Sequence, residues 1–176
     1  MTTRVAMGFG VLALALVAVS GAAEAQAPAR PIGPPPPPAR GPATGLALEA
    51  ARTAIETCAA NGYKVGVVVL NSSGAQRVMV LADGAPDMTG QIATRKAFTA
   101  ITMKVPTAVV SERVKTDKAL ADQIANDPKL ITWAGGQPLT VGGEIIGAIA
   151  VSGAPGGDKD DVCTSAGIAR IQGRLN

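Results

Sequence analysis

"VGGEIIGAIAVSGAPGGDKDD", Val141 to Asp161, sets six glycines ahead of three closely spaced aspartates within twenty-one positions. A phosphate-cradling loop needs its glycines between a strand and a helix, with a Lys and a Ser or Thr at the end. Here Gly142-Gly143 reads instead as a tight hairpin turn into the apolar strand "EIIGAIAVSG", and Gly147 falls inside that strand. Only "SGAPGGD", Ser152 to Asp158, joins a strand to a helix start. Its backbone N–H groups suit an anion, but the carboxylates that follow repel one, so the segment reads as a turn and cap. Asp158 is the expected N-cap of a closing helix from about Lys159, with Asp160 and Asp161 at the positive end of its dipole.

Working back from this stretch, "KLITW" and "QPLTV" are short strand candidates separated by Ala134-Gly135-Gly136. "TAVVSERVKTDKALADQIAND" carries Val110, Val114, Ala121 and Ile124 as a helical stripe stopped by Asp127-Pro128. Asp87 to Lys104 is helical, with Ala93, Ala97, Ala100 and Ile101 on one side and Arg95, Thr99 and Thr102 on another. Two β-branched runs around Asn71 to Gly74 form a hairpin. Ahead of them, Leu48, Ala51, Ile55 and Ala59 make a helical stripe ending at Asn61-Gly62. The order is α-β-β-α-α-β-β-β-α. Short turns between consecutive strands imply antiparallel pairing, so the expected fold is α+β, a small antiparallel sheet flanked by helices.

The chain has 176 residues, 47% hydrophobic but 2% aromatic, which suits one domain whose core is built from Val, Ile, Leu and Ala. Its net charge is +3, with Lys and Arg too scattered for a nucleic-acid footprint. Arg4 precedes the run "VAMGFGVLALALVAVSGAA", which leads into Ala23-Glu24-Ala25. That is the layout of a secretory signal over residues 1–25, cleaved to leave Gln26 first, rather than a permanent membrane anchor. The expected location is periplasmic or secreted. Residues 26–43 follow as a proline-rich linker; "PARPIGPPPPPARGP" has eight prolines in fifteen residues and favours a stiff, extended tether. A motif for a proline-binding partner is the sharper alternative. The folded domain is expected over 44–176.

"TRKAFTA", "VPT" and "WAGGQPLTVGGEIIGAIAVSGAPGGDKDDVCTSAG" resemble the signature segments of the GlcG/HbpS family of haem-binding and haem-utilisation proteins, itself related to the C-terminal domain of PduO-type proteins. The similarity runs from about Leu46 to the C-terminus. The resemblance implies a homo-oligomer, from dimer to octamer. It also implies binding of haem or a related tetrapyrrole, with exported members acting in haem capture, utilisation or sensing.

The chain has no histidine, which excludes a His-ligated haem, a His-based metal site and the Ser-His-Asp or Cys-His catalytic arrangements. An iron ligand must then be Met, Tyr, Lys, Cys or a hydroxyl. The resemblance points to a threonine, carried here by Thr107 after Pro106, with Met103, Met88 and Tyr63 as generic alternatives. Thr107 also suits a helix N-cap, and Met a gap in a core. Arg95 and Lys96, with Thr99 one turn on, are the expected partners of tetrapyrrole propionates, since a guanidinium fork or an ammonium holds a carboxylate best. A solvated helix face or an intersubunit ion pair explains the two cations equally well.

No carboxylate pair stands out as general acid and base, since Asp83 and Asp87 flank a turn, so catalysis has no residue to carry it. The alternatives to haem binding are an accessory small-molecule-binding protein and an enzyme acting on a small organic acid or corrinoid. Finally, an exported chain with two cysteines, Cys58 and Cys163, invites a disulfide. That bond requires the first and last helices to lie side by side and antiparallel; two buried thiols are the alternative.

Overall fold

The structure, a computed structural model, describes residues 38–176. The signal segment and most of the proline-rich linker lie outside the described residues. The elements run α1 (Thr44–Ala59), β1 (Gly66–Asn71), β2 (Gln76–Leu81), α2 (Met88–Met103), α3 (Thr107–Arg113), α4 (Lys118–Asn126), β3 (Gly136–Val141), β4 (Glu144–Ser152) and α5 (Gly157–Ile171). A 3-10 turn, Gln172–Arg174, follows. The four strands form one antiparallel sheet in the order β2-β1-β4-β3, with Gly66 opposite both Leu81 and Ser152. The fold is the α+β arrangement expected.

Alternation along the central strands creates two cores. Val67 and Val69 of β1, with Ile149 and Val151 of β4, face α1 and α5. Val68, Leu70, Ala148 and Ala150 face Ala93, Ala97 and Ala100 of α2. Every residue of β1 is buried because both sheet faces are covered. A third cluster of Val110, Ile124 and Leu130 sits beneath α3 and α4.

On the first face α1 and α5 lie against each other, and the structure joins Cys58 to Cys163 by a disulfide, with Cα atoms 5.6 Å apart. The buried stripe of α1 is Ala47, Ala50, Ala51, Ala54 and Cys58, whereas Leu48 is 49% exposed. The expected stripe through Leu48, Ile55 and Ala59 is rotated because the helices approach too closely for large side chains. A Cβ on Gly167 would stand 2.6 Å from the Ala50 carbonyl oxygen.

Other local details differ from the expectation, each for a hydrogen-bonding reason. The stripe from Val110 to Ile124 is divided between α3 and α4, because Asp117 turns extended and its carboxylate accepts the Leu120 N–H. "KLITW" is not a sheet strand: the Ile131 N–H donates to Thr99 Oγ1, and the Leu130 carbonyl accepts from Arg95. Side chains of α2 thus take the place of a neighbouring strand. Asp158 is not the cap of α5, which starts at Gly157 after Gly156. No side chain caps α5; Asp160 instead accepts the N–H of Ala154, in the loop ahead of the helix, at 3.0 Å. Arg40, near the end of the expected linker, accepts the Ser72 N–H through its carbonyl and pairs with Glu144, so the described chain is already packed against the sheet ends before Thr44.

Candidate functional site

The segments singled out in the sequence converge on one buried polar hub. Lys96, 2% exposed, donates to Asp160 Oδ2 at 2.7 Å and to the Val151 carbonyl at 3.1 Å. Gly135 threads past this pair. Its N–H is held by Asp161 Oδ1 and its carbonyl by the Thr164 hydroxyl, both on α5. A Cβ at Gly135 would meet Asp160 Cβ at 2.7 Å and Lys96 Nζ at 2.8 Å, and its φ of 118° also requires glycine. A Cβ at Gly136 would stand 2.6 Å from the Lys96 carbonyl oxygen. The Ala-Gly-Gly motif therefore lets two helices close over a strand end. Burial pushes the Asp160 carboxyl above the ordinary range, against the pull of Lys96 and the Ala154 amide. Burial also raises Asp161, opposed by hydrogen bonds from Gln137 and Gly135.

The expected ligand residues fall in different places. Lys96 is committed to Asp160 and faces β4 and α5. Thr107 is fully buried, and its hydroxyl accepts the Gly136 N–H at 2.9 Å and donates to the Gly136 carbonyl at 3.2 Å. Pro106, not Thr107, precedes α3 as its cap residue. Thr99 is fully buried between the Arg95 carbonyl and the Ile131 N–H. Met103 packs against the cluster of Val110, Ile124 and Leu130. Met88 is 60% exposed. The disulfide leaves neither cysteine as a thiolate ligand.

Arg95 lines a groove of about 380 Å³ between α2 and α4, walled by Val114, Ala121, Ile124, Leu130 and Ile131. Its Nη2 donates to Leu130 at 2.6 Å, while its buried Nε has no partner. A roomier groove of about 520 Å³ opens between α1 and the edge strand β2. Ile55, Ala59, Val80 and Leu81 wall it, the half-buried Tyr63 lines it, and Arg52, Lys64, Glu56 and Asp83 border it, with Arg52 3.8 Å from the Glu56 carboxylate. Tyr63 is the one tyrosine of the chain. Arg52 and Lys64 escaped the sequence reading because nothing in the local pattern shows that α1 and the loop after it bring them to one groove. Among the described residues no group of three or more carboxylates and cysteines is placed to hold a metal, and no helix is long and apolar enough to cross a membrane.

The family described as "Haem degrading protein HbpS-like" matches residues 44–169. A double mutant of Streptomyces reticuli HbpS has a crystal structure similar to this chain, with a TM-score of 0.69 and 34% identity over 82% of this chain and 97% of that one. A PduOC:haem complex matches with a TM-score of 0.68 and 25% identity, covering 74% of this chain and 95% of that one. An uncharacterised 15.0 kDa protein from the dhaT-dhaS intergenic region of Citrobacter freundii is 27% identical over 113 residues, 61% of this chain and 80% of that protein.

Proposed function

The chain belongs to the HbpS-like family of haem-degrading proteins, and on that premise we propose that it is an exported protein binding haem or a related tetrapyrrole. The observation that carries this reading is the groove between α1 and β2, where a phenol lies among apolar walls, with Arg52 and Lys64 at a border they share with Glu56 and Asp83. The residues fit the group. Phenolate oxygen is an established haem-iron ligand, so Tyr63 supplies one in a chain without histidine. Lys64 suits a propionate, Arg52 would have to share its guanidinium with Glu56, and the aliphatic walls exclude water from the macrocycle. Bound iron would add redox and ligand-exchange chemistry; the protein's part is to hold and shield the ring. Capture, sensing and assembly from dimer to octamer belong to the same proposal, as does export.

A second placement is favoured by one observation. Arg95 lines the α2–α4 groove and has no ion-pair partner among the described residues, so its guanidinium suits a propionate there. Lys96 and Thr107 have their polar atoms bound within the protein and offer less in either placement.

Haemin titration of the full chain tests both. A saturable Soret shift with high-spin ferric absorption is expected, weakened at least tenfold by Tyr63→Phe and unchanged by Arg95→Ala. The reverse pattern moves the ligand to the α2–α4 groove, and the absence of any shift removes haem binding. Bleaching of the Soret band after added peroxide, faster than with free haemin, would extend the reading to degradation.

A further inference from the structure

A third cleft, of about 390 Å³, opens where the loop after β4 meets the start of α5. Its walls are apolar: Pro86, Met88, Ile92 and Trp133. Met88 and Trp133 are 60% and 57% exposed, unusually open for side chains of that size. Its floor is polar and belongs to the hub. Lys96 and Asp160 line it, and beside them lies Ser152, 5% exposed. A serine hydroxyl lining an open cleft can donate one hydrogen bond to a ligand there. The Lys96 ammonium has three N–H donors, of which Asp160 and Val151 take two.

The charge arrangement selects the ligand. Lys96 and Asp160 neutralise each other. A carboxylate entering the cleft would face Asp160 and the neighbouring Asp158 and Asp161, the last held by Gly135 and Gln137. A cation would face Lys96 and the first turn of α5, whose free N–H groups carry positive partial charge. Either sign would also lose its hydration between Met88, Ile92 and Trp133. A neutral molecule with a carbonyl acceptor avoids both penalties. Its oxygen can take the Ser152 O–H and the third Lys96 N–H, while a compact apolar body fills the walls. The volume lies at the small end of the ~300–1,000 Å³ typical of small-molecule pockets. We propose that this cleft, floored by Ser152 and Lys96 and rimmed by Trp133 and Met88, binds a small neutral carbonyl or amide compound, separately from the tetrapyrrole grooves.

Trp133 is the one tryptophan of the chain, so its fluorescence reports this cleft. The haem-free full chain is titrated with three ring compounds of similar size: ε-caprolactam, cyclohexanecarboxylate and cyclohexylammonium. A saturable change in Trp133 emission with caprolactam is expected, with half-saturation at least tenfold lower than for either charged compound. Ser152→Ala should weaken caprolactam binding about tenfold. Met88→Arg, a change at an exposed rim position, should abolish it while leaving the melting temperature near that of the parent. No saturable response to caprolactam, equal responses to all three compounds, or unchanged binding in Ser152→Ala would each overturn the proposal.

Discussion

The two faces of the sheet are built on opposite chemistry. Beneath α1 and α5 the chain uses small apolar residues, glycine at the helix crossing and one covalent link. Beneath α2 the apolar layer is alanine, and its flank is secured by buried polar groups: Lys96 on Asp160, Thr107 on Gly136 and Thr99 on Ile131. The first face tolerates close approach because nothing there needs solvation. The second gains directionality, since each hydrogen bond fixes one segment of the chain relative to another, but each buried group left unpaired is costly. The proposed carbonyl cleft lies on the polar flank, and the tyrosine-lined groove lies at the edge of the apolar one. This division can be tested by disabling each face in turn.

The largest effect is expected from the covalent link. The bonded cysteines are 105 residues apart, and in the chain-entropy description a loop of that length is worth about 4–5 kcal/mol. Replacing both cysteines with alanine should lower the urea midpoint by a corresponding amount, a large share of a small domain's stability. A loss below about 1 kcal/mol would mean that the alanine interface holds the first face by itself.

Opening the polar flank comes next. Asp160→Ala leaves a charged lysine buried without its partner, which typically costs about 3–5 kcal/mol. Lys96→Met combined with Asp160→Leu removes both charges and should recover most of that loss. Recovery should stay incomplete, because Asp160 also accepts the Ala154 N–H. If Asp160→Ala alone proves mild, the flank is not held by its ion pair and the comparison between faces fails.

The unequal legibility of the two faces follows from the same chemistry. Hairpins at Asn71 to Gly74 and Gly142-Gly143 were readable because left-handed turns demand glycine locally, and Gly74, Gly142 and Gly143 do have positive φ. The pairing of Cys58 with Cys163 was readable from the cysteine number together with the expectation of export. The face of α1 was misread through Leu48, because helical periodicity cannot reveal a neighbour so close that only alanine fits. On the polar flank, Arg95 and Lys96 were recognised as important cations, but adjacent residues on α2 point to different surroundings. Their partners lie 35 and 64 residues away, at Leu130 and Asp160. The segment Lys129–Trp133 reads as a strand because its apolar residues match one, and only the fold shows Thr99 satisfying its backbone. The groove at Tyr63 depends wholly on tertiary placement.

The smallest expected effect separates charge from hydrogen bonding at the same hub. Asp161 accepts the Gly135 N–H at 3.0 Å and a longer bond from Gln137, yet burial raises its carboxyl above the ordinary value near 3.8. The folded protein therefore binds a proton more readily at this position than the unfolded chain does. Wherever the folded state holds more protons, stability falls as pH rises. The contribution of Asp161 is most favourable below its unfolded value, declines as pH rises through the window up to the raised folded value, and stays reduced above it. Asp161→Asn removes the ionisation while keeping an oxygen for Gly135. It should leave the melting temperature unchanged below the carboxylate range and raise it slightly at pH 7, flattening the dependence between. A variant less stable than the parent at pH 7 would show that the charge on Asp161, through Gly135 and Lys96, strengthens the polar flank more than its burial weakens it.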